Sequence, residues 1–204
     1  MVLCMEVRLQ RHALGLTWVE QNAMARAAHA LVHDRRVWLI DAYENTEALA
    51  AAAELGTPAG VLQLLDRHNR ECKAIAQRLG VPLLRLPVDP AGTPFTAIPV
   101  IFNRAWREVA LWWADERTLV VAEAIGTAPL FAFGRRAGVH PMLRLVPPRN
   151  QLSRFQPDRL LVGHGEAIES GADAALHEAL AASRTDIPQL LLSVPKLLRG
   201  GSGS

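Results

Sequence analysis

Cysteine is scarce: the 204 residues hold two, Cys4 and Cys72, in unrelated contexts and without Cys-x-x-Cys spacing. This excludes a zinc knuckle, a redox pair and a disulfide-stapled scaffold, and fits reduced thiols in a cytoplasm. Long apolar runs are missing too. No stretch reaches the roughly 18 uncharged apolar residues that span a bilayer. Met1 to Arg11 alternates apolar and polar residues and carries Glu6 and Arg8, unlike the continuous core of a secretory signal. A cytoplasmic protein without membrane contact is the expectation. Excess charge of one sign is absent as well: 22 Lys plus Arg face 20 Asp plus Glu, and the basic residues are scattered. No nucleic-acid partner is expected from such a balance. Gly-x-Ser-x-Gly and the glycine-rich phosphate-binding patterns do not occur, which removes nucleophile-elbow hydrolases and the common nucleotide folds.

What is present is globular composition, 50% hydrophobic and 21% charged. A chain of this size buries roughly two-thirds of its unfolded surface and needs no staple to hold a core. One domain over residues 1–199 is expected, with 200–204, Gly-Gly-Ser-Gly-Ser, as a flexible tail.

Along the chain, the two-residue period of Val2 to Leu9 predicts a half-buried strand. The alanine-rich stretch Glu20 to Val32 predicts a helix by propensity. Val37 to Ile40 is a short apolar run ending at Asp41, which predicts a buried strand. Asn45 as N-cap and Gly56 as stop bracket a helix over Glu47 to Leu55. Val61 to Leu65 reads as a strand, Arg70 to Leu79 as a helix with Cys72 inside it, and Val81 to Leu86 as a strand. Pro87 to Pro99 reads as a long loop, either a lid or an oligomer contact. Val109 to Trp113 and Thr118 to Ala122 predict strands joined by the turn Asp115-Glu116-Arg117. Pro129 to Pro148 is irregular, and its stretch Phe131 to Pro148 is read either as a cover over the site or as an oligomer contact. Leu160 to Val162 then leads into Gly163-His164-Gly165, and a last helix is predicted over Gly171 to Ala182. Alternating strands and helices predict a layered α/β fold.

Three polar clusters stand at the C-terminal ends of predicted strands, where open α/β sheets place ligands. They are Asp66-Arg67-His68-Asn69-Arg70-Glu71, Glu123 and His164. Singly, each has a plain structural explanation, such as Asn69 capping a helix. Trp106, Trp112 and Trp113 are read as packing residues, and His29 and His33 as polar positions on a half-buried segment.

Taken in order, these landmarks resemble the metallo-β-lactamase fold superfamily over most of residues 1–185. Val37 to Asp41 resembles its first strand and terminal aspartate. Val61 to Leu65 with Asp66 to Glu71 resembles the segment carrying its HxHxDH motif. Val109 to Trp112 resembles the strand after its next histidine, Leu119 to Ala124 the strand ending in its metal-bridging aspartate, and Pro157 to Gly165 its terminal GHG turn. The resemblance implies a four-layer αββα sandwich with two mixed sheets and outer helices. It assigns Asp41, Gly163 and Gly165 to the structural motif.

Carried over position by position, the resemblance puts Asp66, His68, Arg104 and Glu123 around one ion. Around the other it puts Arg70, Glu71, His164 and Glu123. Arginine has no lone pair to donate and stays protonated, so Arg70 and Arg104 block one position in each. Two expectations follow. In the first, the dinuclear site is eroded and holds no cofactor, and Arg70 and Arg104 supply the lost positive charge by pairing with Asp66, Glu71 and Glu123. The protein then binds a small molecule or a protein partner, and a homo-oligomer is possible. In the second, one Zn, Mn or Fe ion persists on Asp66, His68, Glu123 and His164, with hydrolysis of an ester, thioester or phosphoester. Whether the chain is an enzyme is left open between them. An acid/base pair built on His68 or His164 without metal is a third arrangement.

Overall fold

Successive residues of strand β4 (Arg36–Ile40) face opposite ways, and both faces are apolar. Val37 and Leu39 enter one buried cluster, while Trp38 and Ile40 enter another. In a second sheet β9 (Thr118–Val121) and β12 (Arg159–Val162) behave alike. Leu119, Val121, Leu160 and Val162 pack on one side, Val120 and Leu161 on the other. Strands apolar on both faces must be covered on both faces, and the result is four layers with three buried clusters. The middle cluster, from Leu31 and Trp38 to Leu111 and Leu161, lies between the sheets.

The computed structural model describes residues 6–68 and 70–185. Cys4, the start of the expected first strand, the Asn69 cap and the 200–204 tail lie outside the described residues. The first sheet has the order β1-β2-β3-β4-β5-β6. Strands β1 (Val7–His12), β2 (Gly15–Glu20), β3 (Ala27–His33) and β4 pair antiparallel. Strands β5 (Thr57–Gln63) and β6 (Leu83–Arg85) continue it in parallel. The second sheet, in the order β12-β9-β8-β7, joins β7 (Thr96–Phe102) and β8 (Arg107–Trp113) antiparallel to β9, and β12 parallel to it. A small pair, β10 (Ile125–Gly126) with β11 (Gly138–Val139), closes one end.

Helices α1 (Thr46–Ala53) and α2 (Cys72–Leu79) cover the outer face of the first sheet through Ala48, Ala52, Ile75 and Ala76. Helix α5 (Ala172–Ala182) covers the second through Ala175, Leu176 and Leu180. Short helices α3 (Pro129–Ala132) and α4 (Arg149–Leu152) lie in the irregular stretch, with a 3-10 turn at Pro141–Leu143. The Asn45 side chain accepts from the Ala48 amide at 2.9 Å, the expected N-cap of α1. Gly80 ends α2 in the left-handed conformation. Among the described residues no helix is long and apolar enough to cross a membrane.

Several sequence expectations are corrected. The stretch Glu20 to Val32 is not a helix: it ends β2, turns, and forms most of β3. Alanine propensity is overridden because fully buried Ala28 and Ala30 leave room on the helix-facing side, while Leu31 fills the inter-sheet core. The Pro87 to Pro99 loop is shorter than expected, because β7 begins at Thr96. Cys72 is not inside its helix but opens α2; burial nevertheless pushes its thiol up to about 12, so it is no ready thiolate.

Candidate metal centre

The ends of β4, β5, β9 and β12 converge at one edge of the sandwich. Asp41, just past β4, adopts a left-handed backbone with φ 48°. Its amide donates to Leu62 O at 2.8 Å, and its Oδ1 accepts the Leu64 amide at 2.9 Å, so the carboxylate is clamped between two strands. Its Oδ2 stands 3.4 Å from His68 Nδ1. Burial, the largest influence, would raise the Asp41 pKa. The contacts with His68, the charge of Arg70 and the Leu64 amide outweigh it and hold the group below its ordinary value.

His164 occupies the turn after β12, and glycine is needed on both sides. A Cβ at Gly163 would lie 2.0 Å from Ala122 O, and Gly165 has φ +103° with Thr127 against it. His164 Nδ1 lies 2.8 Å from Met24 O, an acceptor only, so that nitrogen donates and Nε2 carries the lone pair. Burial lowers the imidazole to about 4, so it is neutral near pH 7. The ring stacks on Phe131 at 5.2 Å.

Glu123 stands just past β9. Its amide and that of Ala124 donate to Glu108 Oε1 at 2.8 and 2.9 Å, and Trp106 Nε1 donates to Glu108 Oε2 at 2.9 Å. Glu108 is wholly buried on β8. Burial raises it to about 7 against the opposing pull of those three donors. One buried carboxyl thus sets the backbone that presents another.

Among the described residues, His68, Glu123 and His164 place one ligand atom each within 4.8 Å of one another. The buried His164 Nε2 and both ring nitrogens of His68 have no hydrogen-bond partner, and Asp41 Oδ2 faces His68 Nδ1 at 3.4 Å without bonding it. A carboxylate behind one histidine and a carbonyl behind the other is the outer arrangement metal-binding imidazoles use. Two histidines and one glutamate are a known donor set for catalytic zinc, which keeps a further position open. The donors present fit one divalent ion.

The sequence reading missed His140, which sits 3.5 Å from Glu123 Oε1 through Nε2. His140 Nδ1 accepts the Met142 amide at 3.2 Å, so Nε2 bears the proton and faces the carboxylate as a donor. Burial lowers its pKa to about 4, with the charges of Arg67 and Arg144 adding to the effect. Its position in the irregular stretch expected to cover the site was the available signal. Trp106, read as packing, is buried but forms a wall of the site, with Arg67 over its ring at 3.8 Å and His140 edge-on at 4.9 Å. Arg67 was passed over; it stands 3.5 Å from Glu123.

The proposed ion-pair network is corrected. Arg70 is buried, but its guanidinium does not reach Asp66, Glu71 or Glu123. It donates to the carbonyls of Ala27, of Asp41 at 2.9 Å and of Gly163 at 3.1 Å. Arg104 is exposed in the β7–β8 turn and makes no ion pair among the described residues. Asp66 lies outside the converging trio, with its amide donating to Arg107 O and its carbonyl accepting Arg85. Glu71 is exposed at the start of α2 and accepts the Glu44 amide. The positive charge near the carboxylates comes from Arg67 on Glu123 and Arg70 beside Asp41.

No family model matches the chain, and no curated protein matches it. Solved structures do. VMB-1 at pH 5.5 superposes with a TM-score of 0.59 at 9% identity, over 88% of this chain and 97% of that one. The DIM-1 metallo-β-lactamase exposed to ceftazidime gives 0.56 at 10% identity, over 88% and 97%. The apo chemotaxis sensor ODP from T. denticola gives 0.51 at 12% identity, over 89% and 98%. At this identity the likeness speaks for architecture, and the chain has the metallo-β-lactamase fold.

Proposed function

We propose that the protein is a metal-dependent hydrolase reduced from two ion positions to one, with His68, Glu123 and His164 holding a single Zn, Mn or Fe ion. The observation that carries this reading is the pair of buried, unpartnered Nε2 atoms beside one carboxylate. The second position is lost because Arg70 stands where the resemblance expects a carboxylate ligand, and its fixed charge beside Asp41 and Gly163 opposes another cation.

A bound ion there supplies Lewis acidity toward a carbonyl or phosphoryl oxygen. The chain's own residues supply the rest. Asp41 orients His68, Met24 O fixes the His164 tautomer, and Glu108 sets the Glu123 backbone. His140 faces Glu123 Oε1 with its protonated nitrogen at 3.5 Å and helps keep that carboxylate turned to the site. Phe131 and Trp106 exclude water from two sides, which strengthens the electrostatics inside. The substrate class is an ester, thioester or phosphoester small molecule.

A metal-free ligand-binding protein is the second reading, favoured by Arg67 on Glu123 and Arg70 beside Asp41, which already offset two carboxylates. Elemental analysis of protein purified without chelator, repeated after incubation with Zn²⁺, Mn²⁺ and Fe²⁺, separates the two. One equivalent, lost in His164→Ala and Glu123→Ala, supports the single-ion hydrolase. Two equivalents overturn the loss of the second position, and folded protein that takes up none supports the metal-free reading.

A further inference from the structure

Arg67 is the one arginine at the site that is open to solvent. Its side chain is 37% exposed, whereas Arg70 is buried with its donors spent on carbonyls. The guanidinium lies over the Trp106 ring at 3.8 Å. Trp106 cannot swing away, because it is 4% exposed and its Nε1 is held by buried Glu108. Stacking engages the face of a guanidinium and leaves the N–H donors, which lie in its plane, free at the rim. Among the described residues the only hydrogen-bond contact of Arg67 is with Glu123 Oε2 at 3.5 Å. That is well beyond the 2.7–2.9 Å or so of a strong charge-assisted bond. A cation has thus been oriented beside the ligand cluster without being satisfied there.

We infer that Arg67, braced on Trp106, is the specificity-determining residue of the site and that its substrates carry an oxyanion, a carboxylate or a phosphate, next to the bond that is cleaved. This rests on the reading of the His68, Glu123 and His164 cluster as the place where substrate binds, but not on a metal being there. The planar fork matches the two oxygens of either group bidentately. Glu123 is a weak rival, because it reaches Arg67 through Oε2 alone and at 3.5 Å, so an incoming anion offers the guanidinium shorter bonds. A neutral ester would leave the guanidinium with its single long contact.

The test is binding of inorganic phosphate and of succinate, by titration calorimetry, to the full chain freed of metal with chelator. Wild type should bind at least one of them. Arg67→Ala should weaken that binding by about tenfold or more, the equivalent of one charge-assisted hydrogen bond. Arg67→Lys should recover part of it. A preference for phosphate assigns phosphoesters, and a preference for succinate assigns carboxylate-bearing esters or thioesters. Circular dichroism checks that the variants fold, which the exposure of Arg67 favours. Metal uptake by Arg67→Ala should not fall, since the variant removes a cation from beside Glu123. Absence of binding to wild type, or equal binding by wild type and Arg67→Ala, overturns the inference. Failure of the single-ion reading registers separately, as wild-type protein that takes up no metal, and leaves the metal-free anion titration intact.

Discussion

His68 Nδ1 and Asp41 Oδ2 face each other at 3.4 Å, from a loop after β5 and the end of β4, while Asp41 Oδ1 is committed to the Leu64 amide. The aspartate therefore links strand registration to the aim of an imidazole. Asp41→Asn keeps an acceptor for the Leu64 amide but can turn an N–H toward His68. We expect metal affinity to fall by about 10–100-fold, the usual cost of losing such a partner. Competition against a chromogenic chelator measures it; unchanged affinity would separate Asp41 from the metal site.

Glu108 makes the same argument one layer deeper. Glu108→Gln keeps an oxygen for the Glu123 and Ala124 amides but sets an amide N–H₂ against Trp106 Nε1–H. Two donors facing one another in a buried place should cost about 1–3 kcal/mol. Urea unfolding should register that loss, and the chelator competition should show weaker metal binding as Glu123 is released from its register. A variant that loses stability but binds metal normally would make Glu108 a packing residue only.

Arg70 ties three backbone carbonyls, on Ala27, Asp41 and Gly163, that belong to both sheets. Arg70→Met fills much of the space but leaves those carbonyls short of donors, so unfolding stability should drop by about 3 kcal/mol. Arg70→Lys should recover only part, since one ammonium cannot reproduce the fork. Equal stability of all three proteins in urea would mean that the carbonyls find water instead.

His29 governs one part of the acid response. It is wholly buried on β3, with Thr17 Oγ1 at 2.8 Å from its Nδ1, and burial lowers it from 6.5 to about 3. The unfolded chain takes up a proton there as pH falls through 6.5, and the folded chain does not until about 3. Its contribution to stability is thus complete above pH 6.5 and is lost toward pH 3, at up to roughly 1.4 kcal/mol per pH unit. Glu108, raised from 4.5 to about 7, acts in the opposite sense, losing stability as pH rises through that range. Between pH 4.5 and 6.5 Glu108 offsets part of the loss, but His140 and His164, both lowered to about 4, add to that of His29, so wild type loses stability on acidification. In His29→Gln one of these opposing histidines is gone, so stability should fall less steeply on acidification over that window than in wild type. Urea midpoints across pH 4.5–7 test it, and parallel curves for the two proteins would exclude His29 as the source.

The strands that carry the architecture were legible because each states its own environment. Val37 to Ile40, Leu119 to Val121 and Leu160 to Val162 are apolar at every position, and only a strand covered on both faces tolerates that. The Asn45 cap and the Gly163-His164-Gly165 turn are local devices whose geometry follows from a few adjacent residues. The segment Glu20 to Val32 was misread because alanine favours a helix in isolation, and its pairing with β2 and β4 is decided by contacts distant in the chain. The site divides along the same line. Sequence alone marked His68, Glu123 and His164 as candidate site residues near strand ends, and showed that arginine at position 70 cannot be a ligand. Which carboxylate stands behind which imidazole, that His140 from the irregular stretch joins Glu123, and that Arg67 rather than Arg104 brings charge to it were settled only by tertiary structure. Those pairings are made across different elements, and the reach of a long guanidinium or the aim of a ring is fixed by its packing, not by its neighbours in the chain.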